Sequence, residues 1–442
     1  MKRLSLLCSV LILTSTSPSV SAQLFQLAQR EDLRSLDPAT SNGRLGRELA
    51  SALDGRLLLA AAPFKEDDSD PGAQDGSVFS FVVNPDGTLV RTQTLQTAER
   101  FQFGALLDAD GSTAAIGSSS ALHLYRYDAG TWNLTQELRI TADVPTTPGI
   151  VVRNLRASLA LSGDLLAVGD TSANVTAGGS VVSNAGAVVL FRRGADSVWR
   201  HEATLAAPQP TGSSGFGSAV AVDGDVLVVG APNDQVGGLG VGGAYVFQRS
   251  GGSWSLRRSL RNPDLDETAD FGWSVAVQAG LAVVGCATCS NFPAGPSNTG
   301  AFFTYRRDLG GTDNWGLEGE TVGSRAQFID NFSVRLDLSA GLLLVGATGT
   351  NPNVASLFAR EEGDEGWQEL ALLESGESTN TEYGQAVALA PGRAFVGASL
   401  WPNTSTSARW GAVYSWYSPT LLACGGRFDR LFCDGFEGAI TR

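Results

Sequence analysis

The sequence predicts an all-β fold made of seven copies of one four-stranded antiparallel meander. Three observations predict it. A Phe-Gly pair, a short strand, a tight turn and a second strand ending in Gly-Ala-Pro recur along the chain, most clearly at Phe216-Gly217 and Gly230-Ala231-Pro232. The two glycine landmarks stay 13 residues apart in six copies, while successive copies are spaced 51 to 61 residues apart, as rigid hairpins joined by free loops would be. No stretch sustains a helical period, and glycine punctuates every strand.

The first landmark falls at Gly104, Arg156, Gly217, Gly272, Ser333 and Gly384, and the second at Gly117, Gly169, Gly230, Gly285, Gly346 and Gly397. An earlier copy runs from Leu45-Gly46 to Ala61-Ala62-Pro63 with two extra residues. Lettering the strands A to D within each unit, strand A is short and built of small residues, as in Ser218 to Val222. Strand B is a near-continuous apolar run such as Val226 to Val229, which implies burial on both faces. The turns between them carry Asp-Gly, Ser-Gly, Ala-Gly or Pro-Gly, the chemistry of tight hairpins. Strand C alternates and is aromatic, as in Val78 to Phe81 and Phe302 to Tyr305. Strand D opens on Trp132, Trp199, Trp254, Trp315 and Trp367, with Leu89 in that place in the first unit.

Radial stacking explains this gradient. Small residues crowd an axis where strands converge, and aromatics fill the widening wedge between outer strands. The aromatics therefore read as packing residues. The last unit lacks a Trp-led strand D, whereas Gln23 to Ala28 form a strand with no unit of its own. That strand is expected to complete the last sheet and remove its free edge.

Residues 1–22 read as a secretory signal: Lys2 and Arg3, an apolar run from Leu4 to Leu13, and a small-residue cleavage site at Val20-Ser21-Ala22. The apolar run is too short for the alternative, a membrane anchor. Residues 23–417 hold the repeats, and residues 418–442 form a short tail. Removing Lys2 and Arg3 takes the net charge from −14 to −16, which argues against a nucleic-acid partner. An exported, monomeric protein, periplasmic, surface-bound or extracellular, is expected. Four cysteines remain after cleavage, and chain proximity favours the disulfides Cys286–Cys289 and Cys424–Cys433 over the other pairings.

The Phe-Gly and Gly-Ala-Pro landmarks, with Gly243-Ala244-Tyr245-Val246-Phe247 after them, resemble the FG-GAP repeat of integrin α-subunit head domains and of many secreted bacterial proteins. The resemblance covers nearly all of residues 23–417. It implies a seven-bladed β-propeller whose N-terminal strand closes the last blade, and an extracellular binding role. Calcium-binding members carry an Asp-rich loop between strands A and B. Here those turns are too tight to wrap a cation that takes six to eight oxygens, and Asp108-Ala109-Asp110-Gly111 is the nearest approach. The tail, with Asp434-Gly435-Phe436-Glu437, resembles C-terminal segments of some secreted proteobacterial proteins; sorting and a passive disulfide-closed end are both open readings.

In such a unit the A–B and C–D turns share one end, and the longer, varied B–C and D–A connections share the other. Function concentrates on such loops, so the B–C/D–A end is the expected binding face for a protein or glycan partner, in adhesion or surface recognition. Two acidic clusters on it are candidate calcium ligands, Asp67, Asp68 and Asp70 with Asp75, and Asp264, Asp266 and Asp270; solvated loop is the competing reading of each. No other cofactor is indicated. Cys286-Ala287-Thr288-Cys289 has redox or zinc spacing, but it ends a strand rather than starting a helix and lacks two further ligands, so a loop staple is favoured. His123 and His201 fall in strands C and D, which leaves Ser/His/Asp chemistry without a base on the loop face. A non-enzymatic binding protein is the reading; the alternative is an extracellular hydrolase or lyase using loop carboxylates on the same scaffold.

Overall fold

The structure is a computed structural model describing residues 25–36, 43–67, 70–97, 101–263, 270–289, 299–325, 331–349, 354–360, 366–377, 381–401 and 409–419. Residues 1–22, expected to be a signal, and Asp68, Asp264, Asp266, Cys424 and Cys433 lie outside the described residues. The chain is all-β. All but the last of its four-stranded antiparallel sheets run A-B-C-D in space as in sequence. The first comprises Leu49–Ala52, Leu57–Ala62, Ser77–Val83 and Leu89–Leu95. The second comprises Leu106–Asp110, Thr113–Gly117, Leu122–Asp128 and Thr131–Leu138, and the third Ser158–Ser162, Leu165–Asp170, Ala187–Arg193 and Trp199–Leu205. The fourth is Ala219–Asp223, Val226–Ala231, Gly243–Ser250 and Ser253–Leu260; the fifth is Phe271–Gln278, Leu281–Cys286, Ala301–Arg306 and Gly316–Thr321. The sixth is Phe332–Ser339, Leu342–Ala347, Val354–Ala359 and Gln368–Glu374. In the last, Tyr383–Ala390, Arg393–Ala398 and Ala412–Tyr417 are joined at the outer edge by the N-terminal strand Gln26–Asp32.

Strand A of each sheet touches strand A of the next, and strand A of the last sheet touches that of the first. The glycine landmarks form the seams between them. A Cβ on Gly230 would lie 2.1 Å from the carbonyl oxygen of Gly272 in the next sheet; the corresponding approaches are 1.9 Å for Gly169 to Gly217, 2.1 Å for Gly346 to Gly384 and 2.0 Å for Gly397 to Gly46. Within a unit, the N–H of the first landmark donates to the carbonyl of the second, as from Gly104 to Gly117 at 2.9 Å and from Gly217 to Gly230 at 3.0 Å. That bond fixes the constant spacing. In the first unit Gly46 donates to Ala61 at 3.0 Å, and the two additional residues sit in a longer A–B turn between Ala52 and Leu57.

The first landmark is also a left-handed position, with φ of +92° at Gly104, +87° at Gly217, +93° at Gly272 and +90° at Gly384. Ser333 holds the same conformation at +70° while its hydroxyl bonds to the Ala301 carbonyl. Arg156 departs: Ala157 takes over the bond to Gly169 at 3.1 Å, and the arginine is exposed. The aromatic before the landmark is buried and meets an aromatic of its own strand C edge-on, as Phe216 meets Tyr245 at 5.5 Å and Phe271 meets Phe303 at 5.3 Å.

Outer strands are locked by a second device. A glutamine on one strand D brackets the backbone of the residue opening the next: Gln93 takes the Trp132 N–H at 2.8 Å and Gln136 that of Trp199 at 2.8 Å. Gln29, on the N-terminal strand, takes the Leu89 N–H at 2.8 Å. Leu89 thus occupies the tryptophan slot of the first sheet. The Trp132 indole donates to Ser80 at 3.1 Å and the Trp367 indole to Thr304 at 2.9 Å, each acceptor being the strand C residue just before the β-bulge of the preceding sheet. At the fourth-to-fifth seam that position is Val246, and the buried Trp315 indole has no acceptor. Val246→Thr supplies one without changing shape, and should raise stability by about 1 kcal/mol. Urea unfolding of the variant and parent checks this; an unchanged or lower midpoint would refute the pairing.

Candidate binding face

Antiparallel order brings the connections before strand A and those between B and C to one end of every sheet. The A–B hairpins at the opposite end are mostly two-residue turns with left-handed glycines, as at Gly111, Gly163 and Gly224. Their acids are used structurally. Asp108 accepts the Leu161 N–H at 2.7 Å, in strand A of the next sheet, and Asp110 the Gly163 N–H at 2.6 Å, in the A–B turn of that sheet. Asp223 and Asp337 repeat the contact with Ala279 and Leu389, each at 2.6 Å. Burial pushes the Asp108 carboxyl up to about 7 and the Asp337 carboxyl up to about 6, with the charge of Asp337 adding to the rise at Asp108. These carboxyls brace neighbouring strands.

The B–C/D–A end is more elaborate. Glu66–Asp67 pairs with Asp70–Gln74 in a hairpin; Gln235–Val236 pairs with Leu239–Gly240; and Ile150–Val151 joins Asn174–Ala177 and Ser180–Val182 in a three-stranded sheet. Asp67 and Asp70 therefore belong to a β-hairpin. Asp270 is tied to Thr288, whose hydroxyl lies 3.1 Å from its carboxylate, and it sits at the entrance to the Phe271-Gly272 turn. No group of three or more His, Cys, Asp or Glu side chains suited to a metal occurs among the described residues. Cys286 and Cys289 are disulfide-bonded and buried, stapling the turn after strand B of the fifth sheet. Asp170 and Asp234 are buried at the corresponding turns of the third and fourth sheets: Asp170 accepts the N–H groups of Asn154 at 3.1 Å and Ser172 at 2.9 Å, and Asp234 pairs with Arg261 at 2.8 Å. They hold the loops in place.

His123 lies in strand C, as expected. It lies at the loop end of strand C, fully buried, with Nε2 3.1 Å from the Ser118 hydroxyl and Nδ1 3.4 Å from Glu137. Sequence spacing missed this trio because the residues come from a short loop and two different strands. It has triad-like order, but the Ser118 oxygen bonds the Ala121 carbonyl at 3.1 Å and the Ala121 N–H at 3.2 Å within its own turn. Ser118 is only 3% exposed. The trio staples the short B–C connection of the second sheet. His201 packs edge-on against Phe191 and bonds to Thr204 at 2.8 Å, and burial lowers its pKa.

Exposed apolar side chains fall into two sets. Leu27, Val90, Leu134, Val198, Leu256 and Leu317 are scattered along or beside the outer strands, a normal surface. Phe101, Val151, Val181, Leu239 and Trp273 all lie on B–C or D–A connections or at the adjoining start of strand A, from the first to the fifth sheets; Phe101 is 61% and Val181 64% exposed. A groove of about 360 Å³ opens separately between the outer edges of the fourth and fifth sheets, lined by Arg258, Asn262, Tyr305 and Trp315.

This geometry defines an all-β repeat protein of four-stranded sheets presenting loops at one end. Residues 199–247 match the FG-GAP repeat family, so the chain carries an FG-GAP repeat, and its many four-stranded sheets are consistent with an integrin-like β-propeller. No curated protein matches the chain. Among the described residues no helix is long and apolar enough to cross a membrane.

Proposed function

We propose that the sheets are the seven blades of a closed β-propeller spanning residues 23–417, exported by residues 1–22, and that the B–C/D–A face binds a protein or glycan partner. The observation that carries the binding reading is the gathering of Phe101, Val151, Val181, Leu239 and Trp273 on that face. Large apolar side chains left in water on a rigid scaffold are the usual anchors of a recognition surface. The FG-GAP repeat supports it, since such domains commonly mediate protein binding. The disulfide supports export, because such bonds persist in oxidising compartments.

The test is a screen of the whole protein against glycan and surface-protein panels, run beside a broad hydrolase and lyase panel. The double variant Leu239→Ala/Trp273→Ala should weaken any partner found by about tenfold to a hundredfold with its melting temperature unchanged. Turnover abolished by one loop carboxylate substitution, with partner binding indifferent to the apolar pair, would replace this reading with an enzymatic one.

A further inference from the structure

The chain is acidic, with 45 Asp and Glu against 31 Lys and Arg, and many of its arginines are paired. Arg30 meets Glu377 at 2.8 Å, Arg193 meets Asp164 at 2.7 Å, Arg261 meets Asp234 at 2.8 Å and Arg335 meets Glu48 at 3.3 Å. The seam between the last and first sheets breaks this habit. Arg44 and Arg47 flank the Leu45-Gly46 landmark, and Arg409 ends the B–C connection of the last sheet. Leu45 pairs with Gly411 across the seam, and the Arg44 N–H donates to the Arg409 carbonyl at 3.2 Å, so these segments are fastened side by side. Among the described residues no carboxylate forms an ion pair with Arg44, Arg47 or Arg409.

Three features make this a cluster held by the fold rather than three stray charges. The Arg44 guanidinium lies over the Phe64 ring at 4.8 Å, and its Nε is buried without an acceptor. Burial lowers the Arg44 pKa; Glu382 opposes that, while Arg409 and Arg47 add to it, so the three cations lie within reach of one another's fields. The Glu382 carboxylate itself accepts the Ser399 hydroxyl. Beside them Trp410 is half-buried against the core of the first sheet. Like charges held together with an unmet donor are costly unless an anion completes them.

We propose that Arg44, Arg47 and Arg409 form an oxyanion site for the carboxylate of a short acidic saccharide. The guanidinium forks match a carboxylate, and the neighbouring Trp410 offers an apolar surface for a sugar ring. A net charge of −14 disfavours a long polyanion, so a ligand with one or two acid groups suits the site. The site shares its face, but none of its residues, with the apolar anchors above, so either reading can fail alone.

The experiment titrates digalacturonate into the whole protein at low ionic strength by calorimetry, with neutral digalactose and the capped dipeptide Glu-Glu as comparators. Saturable binding of digalacturonate alone is expected. It should weaken about tenfold in Arg47→Ala/Arg409→Ala and on adding salt, and persist in Leu239→Ala/Trp273→Ala. Arg44→Asn is the third arm: asparagine tolerates the left-handed backbone held here at φ +55°, as Asn331 does at +48°, so lost binding there is not lost folding. Equal binding by the arginine double variant, equal binding of digalactose, or tighter binding of the dipeptide would each overturn the proposal.

Discussion

Gly272→Ala should destabilise the protein by about 4 kcal/mol, the sum of a backbone cost and a packing cost. The backbone sits at φ +93°, where any residue with a Cβ is strained. The added methyl carbon would also lie 2.2 Å from the Gly243 carbonyl oxygen and 3.1 Å from the Ala231 nitrogen, both backbone atoms of the preceding sheet. No side-chain rotation relieves such an approach; the seam must open. Two other glycines calibrate the result. A Cβ on Gly224, at φ +57°, or on Gly240 would meet nothing within 4 Å. Gly224→Ala should therefore cost only about 1 kcal/mol and Gly240→Ala close to nothing. Chemical denaturation of the three variants gives the ranking. A Gly272→Ala midpoint equal to that of Gly240→Ala would mean that the landmark glycine does not set the distance between sheets.

The same glycines show what the sequence could and could not reveal. Their fixed spacing made the A–B hairpin legible because one backbone bond, Gly217 to Gly230 at 3.0 Å, enforces it. The left-handed turn has a second member that spacing alone does not expose. The residue before the buried aromatic also takes positive φ, as at Gln102, Gly215, Asn331 and Glu382, with residue types too varied to read as a motif. Arg156 misled for the opposite reason: its position kept the interval, but without glycine the turn moved one residue on. Asp108 and Asp110 were recognisable as poor calcium ligands from turn length. Their use as braces on Leu161 and Gly163 was not, since those partners lie more than fifty residues away in a different unit. The arginine cluster was invisible for the same reason. Its members come from opposite ends of the chain, and a lone arginine in a loop carries no signal until the seam brings Arg409 beside Arg44.

Deleting residues 23–32 should unfold far more than the edge it removes. Gln26–Asp32 pairs along Ala412–Tyr417, from Gln26 opposite Tyr417 to Asp32 opposite Ala412. Phe25, 3% exposed, packs in one core with Tyr383, Tyr414 and Trp416. Arg30 reaches Glu377 at 2.8 Å and stacks over Trp401 at 4.4 Å, while Gln29 crosses to Leu89 in the first sheet. Truncating Phe25 alone should cost about 3 kcal/mol, so loss of the whole strand should exceed about 5 kcal/mol. The deletion would also expose the outer edge of Ala412–Tyr417 to pairing with other chains. The decisive comparison is between local and global loss. If the strand joins the last sheet to the first, amide exchange should accelerate in strands B and C of both sheets, and the truncated protein should melt in one lowered transition. A synthetic peptide of residues 23–33 should restore the melting temperature in proportion to its concentration, because it binds only the folded chain. Gln29→Ala separates the two seams the strand serves: it removes the Leu89 bracket, keeps the ladder to Ala412–Tyr417, and should cost about 1 kcal/mol. A truncated protein melting like the parent, with no response to the peptide, would mean that the sheets stand without their N-terminal closure.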